Sequence, residues 1–567
     1  MLLPSWIKTY QTAQLKGDLI AGVIVAIVLI PQSMAYGLLA GLPAEVALYS
    51  SVLPIILYAA FGSSRTLAIG PVGIMSLMTG ATIAELGISN IDEVINAANT
   101  LALLTGIILL LMRAARLGSI INFLSHPVVS GFISASAIII ALSQVKHIVG
   151  LNITEGLAPY QAITHIVTQL PQGHLVTSIL GVCSLMLLWW FKGPLANLLK
   201  KRAFNPNSIK FISNSGPLIV AVTGTLVVYY FHLNTRFEVS VVGYIPPGLP
   251  HIILPNYDEQ LFKQLLPSAL LIALIGYLES VSIAKSMAGQ KRQKIDANKE
   301  LLGLSAANVS SALSGGYPVA GGFGRSMVNF TAGANSPLAS IITACLVGLT
   351  LSVLTPLFFF LPKAALSAVI IFAVLPLIDT HTLKHTWRYD RTEATLMLIT
   401  FLTVLFINVE SGILAGIIIS IGLYLHRSSQ PHIAVVGQVG NSEHYRNIKR
   451  YKVKTDKEIL AIRVDENLYF ANTNYLEDNI MGLVADNQSI NHIVLICQSI
   501  SFIDTSALQS LSDILYRLEK ANIQLHLAEI KGPVMDKLKD TEFLKKIGTE
   551  NIFLSTHQAI TTLQARR

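Results

Sequence analysis

The stretch Gly315-Gly-Tyr-Pro-Val-Ala-Gly-Gly-Phe-Gly-Arg-Ser-Met-Val-Asn-Phe330 lies inside a chain dominated by long apolar segments. It reads as a helix that begins part-way through a membrane. Pro318 lacks a backbone N–H and suits a helix entry, while Gly321, Gly322 and Gly324 permit close backbone approach. A helix starting at that depth points unpaired N–H groups and the positive end of its dipole into the protein interior, which favours an anion. Glycines alone would equally suit tight helix packing. Arg325, one turn in, decides between the readings, because a lone guanidinium in apolar surroundings is costly and marks a functional site. A second stretch, Arg65-Thr-Leu-Ala-Ile-Gly-Pro-Val-Gly-Ile-Met-Ser-Leu-Met78, answers the first. It runs from an extended, β-branched lead-in through Gly70-Pro71 into a helix. Two Gly/Pro-interrupted apolar segments in corresponding places of two halves point to a transport site at an inverted-repeat interface.

The rest of the chain fits that setting. Of its 567 residues 52% are hydrophobic and 13% charged, outside the range of a soluble domain. Breaks at Gly, Pro and charge clusters give about fourteen apolar segments. Their centres fall near Val25, Pro54, Ser76, Thr105, Ala135, Leu185, Val222, Leu274, Ala306, Met327, Ala344, Val369, Thr400 and Ile418. The first run, Leu19 to Ile30, continues into Pro-Gln-Ser-Met-Ala-Tyr and not into a small-residue cleavage site, so it reads as a retained helix. Lys8, Lys16, Arg65, Arg113, Arg116, Lys192, Lys200, Lys201, Arg202, Lys210, Lys291, Arg292, Lys294, Lys299, Lys384, Arg388, Arg391 and Arg427 all fall on one side of an even-numbered topology. The loops Gly87–Asn99 and Leu151–His174 carry neither Lys nor Arg. The positive-inside rule then places both termini in the cytoplasm of a cell (inner or plasma) membrane, and the net charge of +8 needs no nucleic acid to explain it. Trp189, Trp190, Tyr229 and Tyr230 sit at segment ends as interfacial anchors do. Cys183, Cys345 and Cys497 are isolated, so neither a disulfide nor a metal site is expected, and no cofactor.

Beyond Arg427 the composition changes to that of a soluble α/β domain. Glu458–Val464, His492–Cys497 and Ile523–Ala528 read as strands, Ser506–Glu519 and Val534–Lys546 as amphipathic helices. Asp504 or Thr505 is placed as the N-cap of the first of these helices. Within the membrane part, Ala273–Ala284 holds one carboxylate, Glu279, which is expensive to ionise unless partnered and is suited to carry a proton or help hold Na⁺. In the first segment, Pro31 is expected to break the helix, and Gln32 and Tyr36, four apart, share one face.

Pro31-Gln-Ser-Met-Ala-Tyr36, Gly70-Pro-Val-Gly-Ile-Met-Ser-Leu-Met78, Leu278-Glu-Ser-Val-Ser-Ile-Ala-Lys285 and Tyr317-Pro-Val-Ala-Gly-Gly-Phe-Gly-Arg-Ser-Met-Val-Asn329 resemble the SulP anion transporters (sulfate permeases; solute carrier family 26). Ile503-Asp-Thr-Ser-Ala-Leu508 resembles the STAS domain of those proteins. The resemblance implies an α-helical polytopic membrane protein of two inverted repeats of seven segments, sorted into core and gate domains, with a small cytoplasmic α/β domain. The divisions are 1–17 as the cytoplasmic N-terminus, 18–233 and 262–427 as the repeats, and 435–567 as the STAS domain. It further implies a homodimer, and an anion held by Gln32, Tyr36, Val72, Phe323, Gly324 and Arg325, with Glu279 as the coupling carboxylate. Gly322 and Gly324 depart from the hydroxyl residues many relatives carry. In related bacterial anti-sigma-factor antagonists the strand–helix junction carries a phosphorylatable hydroxyl, which maps to Thr505, with Ser506 beside it. A phosphate there would meet both the helix N-terminus and Asp504, so electrostatics leave an ordinary surface hydroxyl and a switch both open.

The expected function is H⁺-coupled uptake of sulfate or a similar small anion. The alternatives are Na⁺-coupled bicarbonate uptake and an anion-responsive sensor or channel acting through the STAS domain, which is itself expected to assemble the dimer or bind a cytoplasmic partner. Glu279 and Ile283 stand where Na⁺-coupled relatives tend to place Asp and Thr, which argues against Na⁺. No Gly-x-x-x-x-Gly-Lys-Ser/Thr phosphate loop occurs, which argues against a primary pump, and no hydrolase or metal constellation argues for an enzyme.

Overall fold

A computed structural model describes residues 4–88, 90–119, 125–151, 159–202, 209, 212–213, 215–253 and 258–566. Lys210 lies outside them, as does 152–158 of the second Lys/Arg-free loop. The chain divides into two compact units, Met1–Ile418 and Ile419–Arg567.

The first unit is helical, and every expected segment centre falls in a helix. Nine helices among the described residues are long and apolar enough to cross a membrane. Two helices outside these nine are short. Gly73–Glu85 has 13 residues and Phe323–Thr331 has 9, which at 1.5 Å per residue is about 20 Å and about 14 Å against a hydrocarbon layer of about 30 Å. Neither can span alone.

Each short helix is preceded by extended chain. Strand β1 (Ile69–Gly70) and strand β2 (Ala320–Gly321) pair antiparallel, Ile69 opposite Gly321 and Gly70 opposite Ala320. Apolar surroundings offer no water to satisfy the backbone, so irregular chain at this depth must find partners in the protein. Gly322 N–H donates to Ala68 O at 3.0 Å. Asn308, buried in the Ala297–Leu313 helix, acts as a further strand edge: Val319 N–H donates to its Oδ1 at 2.9 Å, and its Nδ2 donates to Val319 O at 3.0 Å. Ser280 of the Glu259–Gln290 helix accepts from Gly321 N–H at 2.8 Å. Tyr317, fully buried, donates its N–H to Ser50 Oγ, and its hydroxyl lies 2.7 Å from Ser76 Oγ in the opposite short helix.

Two expectations about proline are corrected. The second short helix starts at Phe323, five residues after Pro318, because 320–321 are engaged in the strand pair. The first transmembrane helix runs unbroken from Leu15 to Leu39 with Pro31 inside it. Proline removes one hydrogen bond, and the buried flanks Val28, Leu29, Met34 and Ala35 hold the helix together across the gap. Gln32 and Tyr36 keep their common face.

In the second unit the six-stranded sheet has the order β4-β3-β5-β6-β7-β8: β3 (Ile433–Gln438), β4 (Tyr445–Asn447), β5 (Ile459–Val464), β6 (His492–Ile496), β7 (Gln524–Ala528) and β8 (Ile552–Phe553). Strands β5 to β8 are parallel, while β3 runs antiparallel to both neighbours. The continuous apolar run of β6 is explained by helices on both faces. Ile493 and Leu495 join one core with Leu511 and Leu515, and Val494 and Ile496 join another with Ala559 and Leu563. The amphipathic stretch expected over Val534–Lys546 is two helices, Gly532–Leu538 and Glu542–Ile547, because Thr541 caps a new start by accepting from Leu544 N–H.

Asp504, and not Thr505, caps the Thr505–Lys520 helix: Oδ1 accepts from Ala507 N–H at 2.8 Å while Oδ2 accepts from Phe470 N–H at 2.9 Å. Asp504→Ala removes both acceptors, and loss of such a cap costs about 0.5–2 kcal/mol. Hydrogen exchange at the Ala507 and Phe470 amides of the full-length protein is expected to accelerate by a factor of roughly 10. Unchanged exchange at both amides would show that the cap contributes nothing.

Candidate anion site

The two short helices begin without the side-chain caps found elsewhere in the chain. Asn90, Asp258, Asp296, Asp379 and Asp390 each cap a helix with a side-chain oxygen. Val72 and Gly322, the N-caps of the short helices, supply none. The first-turn N–H groups, which no helix can satisfy internally, thus have no side-chain cap at either start, and both dipoles present their positive ends near the β1–β2 pair.

Arg325, third residue of its helix, is 3% exposed, and neither Nη1 nor Nη2 has a hydrogen-bond partner. Its guanidinium lies back across the strand pair. A Cβ built on Gly322 would come within 2.9 Å of Nη2 and 3.0 Å of Nε, and one on Gly70 within 3.4 Å of Nη1. Gly70 also has φ +147, a conformation that favours glycine. These two glycines are thus the floor on which the cation rests. A cation this buried with two unpaired donors is suited to an anion, and its forked geometry matches two oxygens of one oxyanion.

The neighbours follow from the same packing. Tyr36 is 8% exposed, and a Cβ on Gly73 would meet its Cε1 at 3.4 Å, so its ring covers the start of the Gly73–Glu85 helix. Tyr36, Tyr317 and Glu279 all lie within electrostatic reach of Arg325. Glu279 Oε2 is buried and has no hydrogen-bond partner. Val72 is buried against Gly322. Gln32, partly exposed, lies one turn before Tyr36 on the same helix face. Phe323 is 45% exposed and Gly324 is exposed with open space around it, so the start of the second short helix is accessible.

Tyr36, Val72, Glu279 and Arg325 are therefore gathered around one point, with Phe323 and Gly324 at its open side. Sequence reading missed the polar residues that hold the point together: Ser76, Ser280, Asn308, Tyr317, Ser326 and Asn329. Ser326 Oγ accepts from Ala68 N–H at 2.9 Å, and Asn329 Nδ2 donates to Thr66 O at 3.0 Å. Their signal in the sequence is a polar side chain in an apolar segment, which each shares with many helix-facing hydroxyls. The three glycines also separate. Gly321 is pressed on Leu67 and Gly322 on Arg325, whereas nothing lies within 4 Å of a Cβ on Gly324. No part of the chain itself approaches Gly324, so that side of the helix start is open.

That difference is testable. Gly322→Ala is expected to displace the guanidinium and weaken anion binding roughly tenfold or more, measured calorimetrically with sulfate as the probe. Gly324→Ala, whose added methyl meets no protein atom, is expected to weaken it less than Gly322→Ala does. Equal effects of the two substitutions would contradict the seat assigned to Arg325.

Comparison with known proteins agrees with this architecture. The sulfate permease family model matches residues 15–400, and the STAS domain model matches residues 450–559. The chloroplastic sulfate transporter 4.1 of Arabidopsis thaliana is 36% identical over 98% of this chain and 81% of its own. The structure of the murine solute carrier 26 family member A9 anion transporter in the inward-facing state superposes with a TM-score of 0.90 at 23% identity, covering 100% of this chain and 94% of that one. The transmembrane domain of a cyanobacterium bicarbonate transporter gives a TM-score of 0.59 at 23% identity over 72% of this chain and 98% of its own. At these identities the two structures speak for the fold. With a family match over most of the transmembrane unit and a relative aligned over nearly all of this chain, this multi-pass membrane protein belongs to the sulfate permease family.

Proposed function

We propose that the protein is a secondary active transporter of sulfate, or an oxyanion of its class, driven by protons. One observation carries the reading: Arg325 is buried with two unpaired donors beside two helix starts that lack side-chain caps. Gln32, Tyr36, Val72, Phe323 and Gly324 line the anion, and backbone N–H groups take the part that hydroxyls at Gly322 and Gly324 would play. Sulfate is favoured over bicarbonate because the relative at 36% identity is a sulfate transporter, while the bicarbonate transporter resembles the chain at 23%. The protein sits in a cell membrane as a homodimer with both termini in the cytoplasm. Its STAS domain, where Thr505 and Ser506 are exposed, tunes the level of transport and not its selectivity.

Coupling follows from charge. Ionised Glu279 partly cancels Arg325, since the two groups interact through a low-dielectric interior. Protonated Glu279 leaves the guanidinium free for the anion. Proton and anion therefore favour each other's binding, and by linkage the preference is reciprocal.

Labelled sulfate, bicarbonate and chloride uptake into proteoliposomes, each with and without pH and Na⁺ gradients, tests the reading. Sulfate uptake is expected to follow the pH gradient, and uptake that requires Na⁺ and ignores pH would overturn it. Arg325→Ala is expected to abolish uptake, since a charge-assisted contact of about 1.5–3 kcal/mol or more is lost. Glu279→Gln is expected to retain anion exchange while losing its response to the pH gradient. A Glu279→Gln protein that kept the full pH response would exclude that carboxylate as the coupling group.

A further inference from the structure

We infer that Glu300 is the positioning residue of the anion site, acting on Arg325 through the connection at residues 62–68; this rests on the function proposed above. Glu300 lies in the first turn of the Ala297–Leu313 helix and is fully buried. Four donors converge on it. Oε1 accepts from Ser63 N–H at 2.7 Å, Ser63 Oγ at 2.7 Å and Ser64 N–H at 3.0 Å, and Oε2 accepts from the Tyr58 hydroxyl at 2.7 Å. A carboxylate taken out of water is tolerated only with such a complement.

The connection so gripped leads from the Leu53–Phe61 helix into β1. Ser64 Oγ accepts from Leu67 N–H at 3.2 Å, which tightens the turn. The next residues hold the helix that bears Arg325. Thr66 O accepts from Asn329, Ala68 N–H donates to Ser326 Oγ, and Ala68 O accepts from Gly322 N–H. Ser326 follows Arg325 directly, and Asn329 lies one turn further on the same face. The cation is thereby tied at three points to a short connection whose own anchor is Glu300.

There is little slack in that anchor. A Cβ on Gly303 would lie 2.7 Å from Gly62 Cα, so the two helices meet backbone to backbone just beyond the carboxylate. Glu300 therefore sets where β1 begins, and with it the position of Gly70 beneath the guanidinium. Apolar packing would hold the helices together equally well. A carboxylate aimed at two consecutive N–H groups fixes the position of the chain between them.

The test uses the full-length protein in proteoliposomes. Glu300→Gln keeps the shape, removes the charge and turns one acceptor into a donor facing donors. The KM for sulfate is expected to rise roughly tenfold or more, with the maximal rate per folded molecule within about twofold, and with a lowered melting temperature because a buried donor is left facing donors. Ser326→Ala is expected to raise KM as well, and the double variant to fall short of the product of the two effects, because both act along one chain of contacts. If Glu300→Gln does not accumulate, Tyr58→Phe removes a single donor and is expected to shift KM in the same direction. A Glu300→Gln protein with parental KM and only reduced abundance would overturn the inference and leave Glu300 as an anchor of the fold. Arg325→Ala measured alongside separates the two levels. Lost uptake in Arg325→Ala with parental KM in Glu300→Gln refutes the positioning role alone, whereas retained uptake in Arg325→Ala refutes the site itself.

Discussion

A backbone that ends or begins a helix away from water must find partners for its N–H groups, and most of this transmembrane unit is arranged around two places where that happens. The short helices starting at Gly73 and Phe323 leave one turn of donors each without intrahelical partners. The chain before them is satisfied locally, by the β1–β2 pair and by the side chains of Ser280, Asn308 and Ser326. The starts themselves have no side-chain cap and are where the proposed function puts the anion. Arg325 raises the demand further, since a guanidinium among apolar groups without an acceptor is among the least tolerated arrangements in a protein. In the proposed function, the same feature that strains the protein is what draws an anion.

The surrounding polar residues then form two classes. Arg325 and Glu279 have unpaired buried atoms and are suited to exchange partners during a transport cycle. Glu300 and Asp18 are saturated. Glu300 takes four donors, and Asp18, equally buried, accepts from Asn335 N–H at 2.6 Å, Ser336 N–H at 3.1 Å and Ser336 Oγ at 2.6 Å behind the second short helix. Saturated carboxylates fix the scaffold, while unsaturated groups are left to respond to what arrives.

Much of this was legible in the sequence, and what was not shares a physical cause. A Gly-rich break, a lone arginine and a lone glutamate stand out because they violate the composition of an apolar segment locally. The apolar runs of β5 and β6 and the STAS junction are likewise local. The strand pair joining Ile69 to Gly321 is not, because it unites residues far apart whose extended conformation each depends on the other. Pro318 misled for that reason: a good helix entry by its own chemistry, it precedes residues already committed to pairing. Pro31 misled in the opposite sense, since packing around one missing hydrogen bond outweighs the local preference to break. Ser280, Asn308, Ser326 and Glu300 were passed over because a buried polar side chain has meaning only through its partner, and each partner lies elsewhere in the chain.

The central claim is that an oxyanion sits between the two helix starts with Arg325 as its counter-charge. Selenate is sulfate-like in shape and charge and locatable by anomalous scattering, so crystals grown with it give the most direct measurement. The account predicts one anomalous peak whose oxygens lie about 3 Å from Arg325 Nη1 and Nη2 and from first-turn N–H groups of the Gly73–Glu85 and Phe323–Thr331 helices. A peak bound elsewhere, with Arg325 Nη1 and Nη2 still without acceptors, would contradict it.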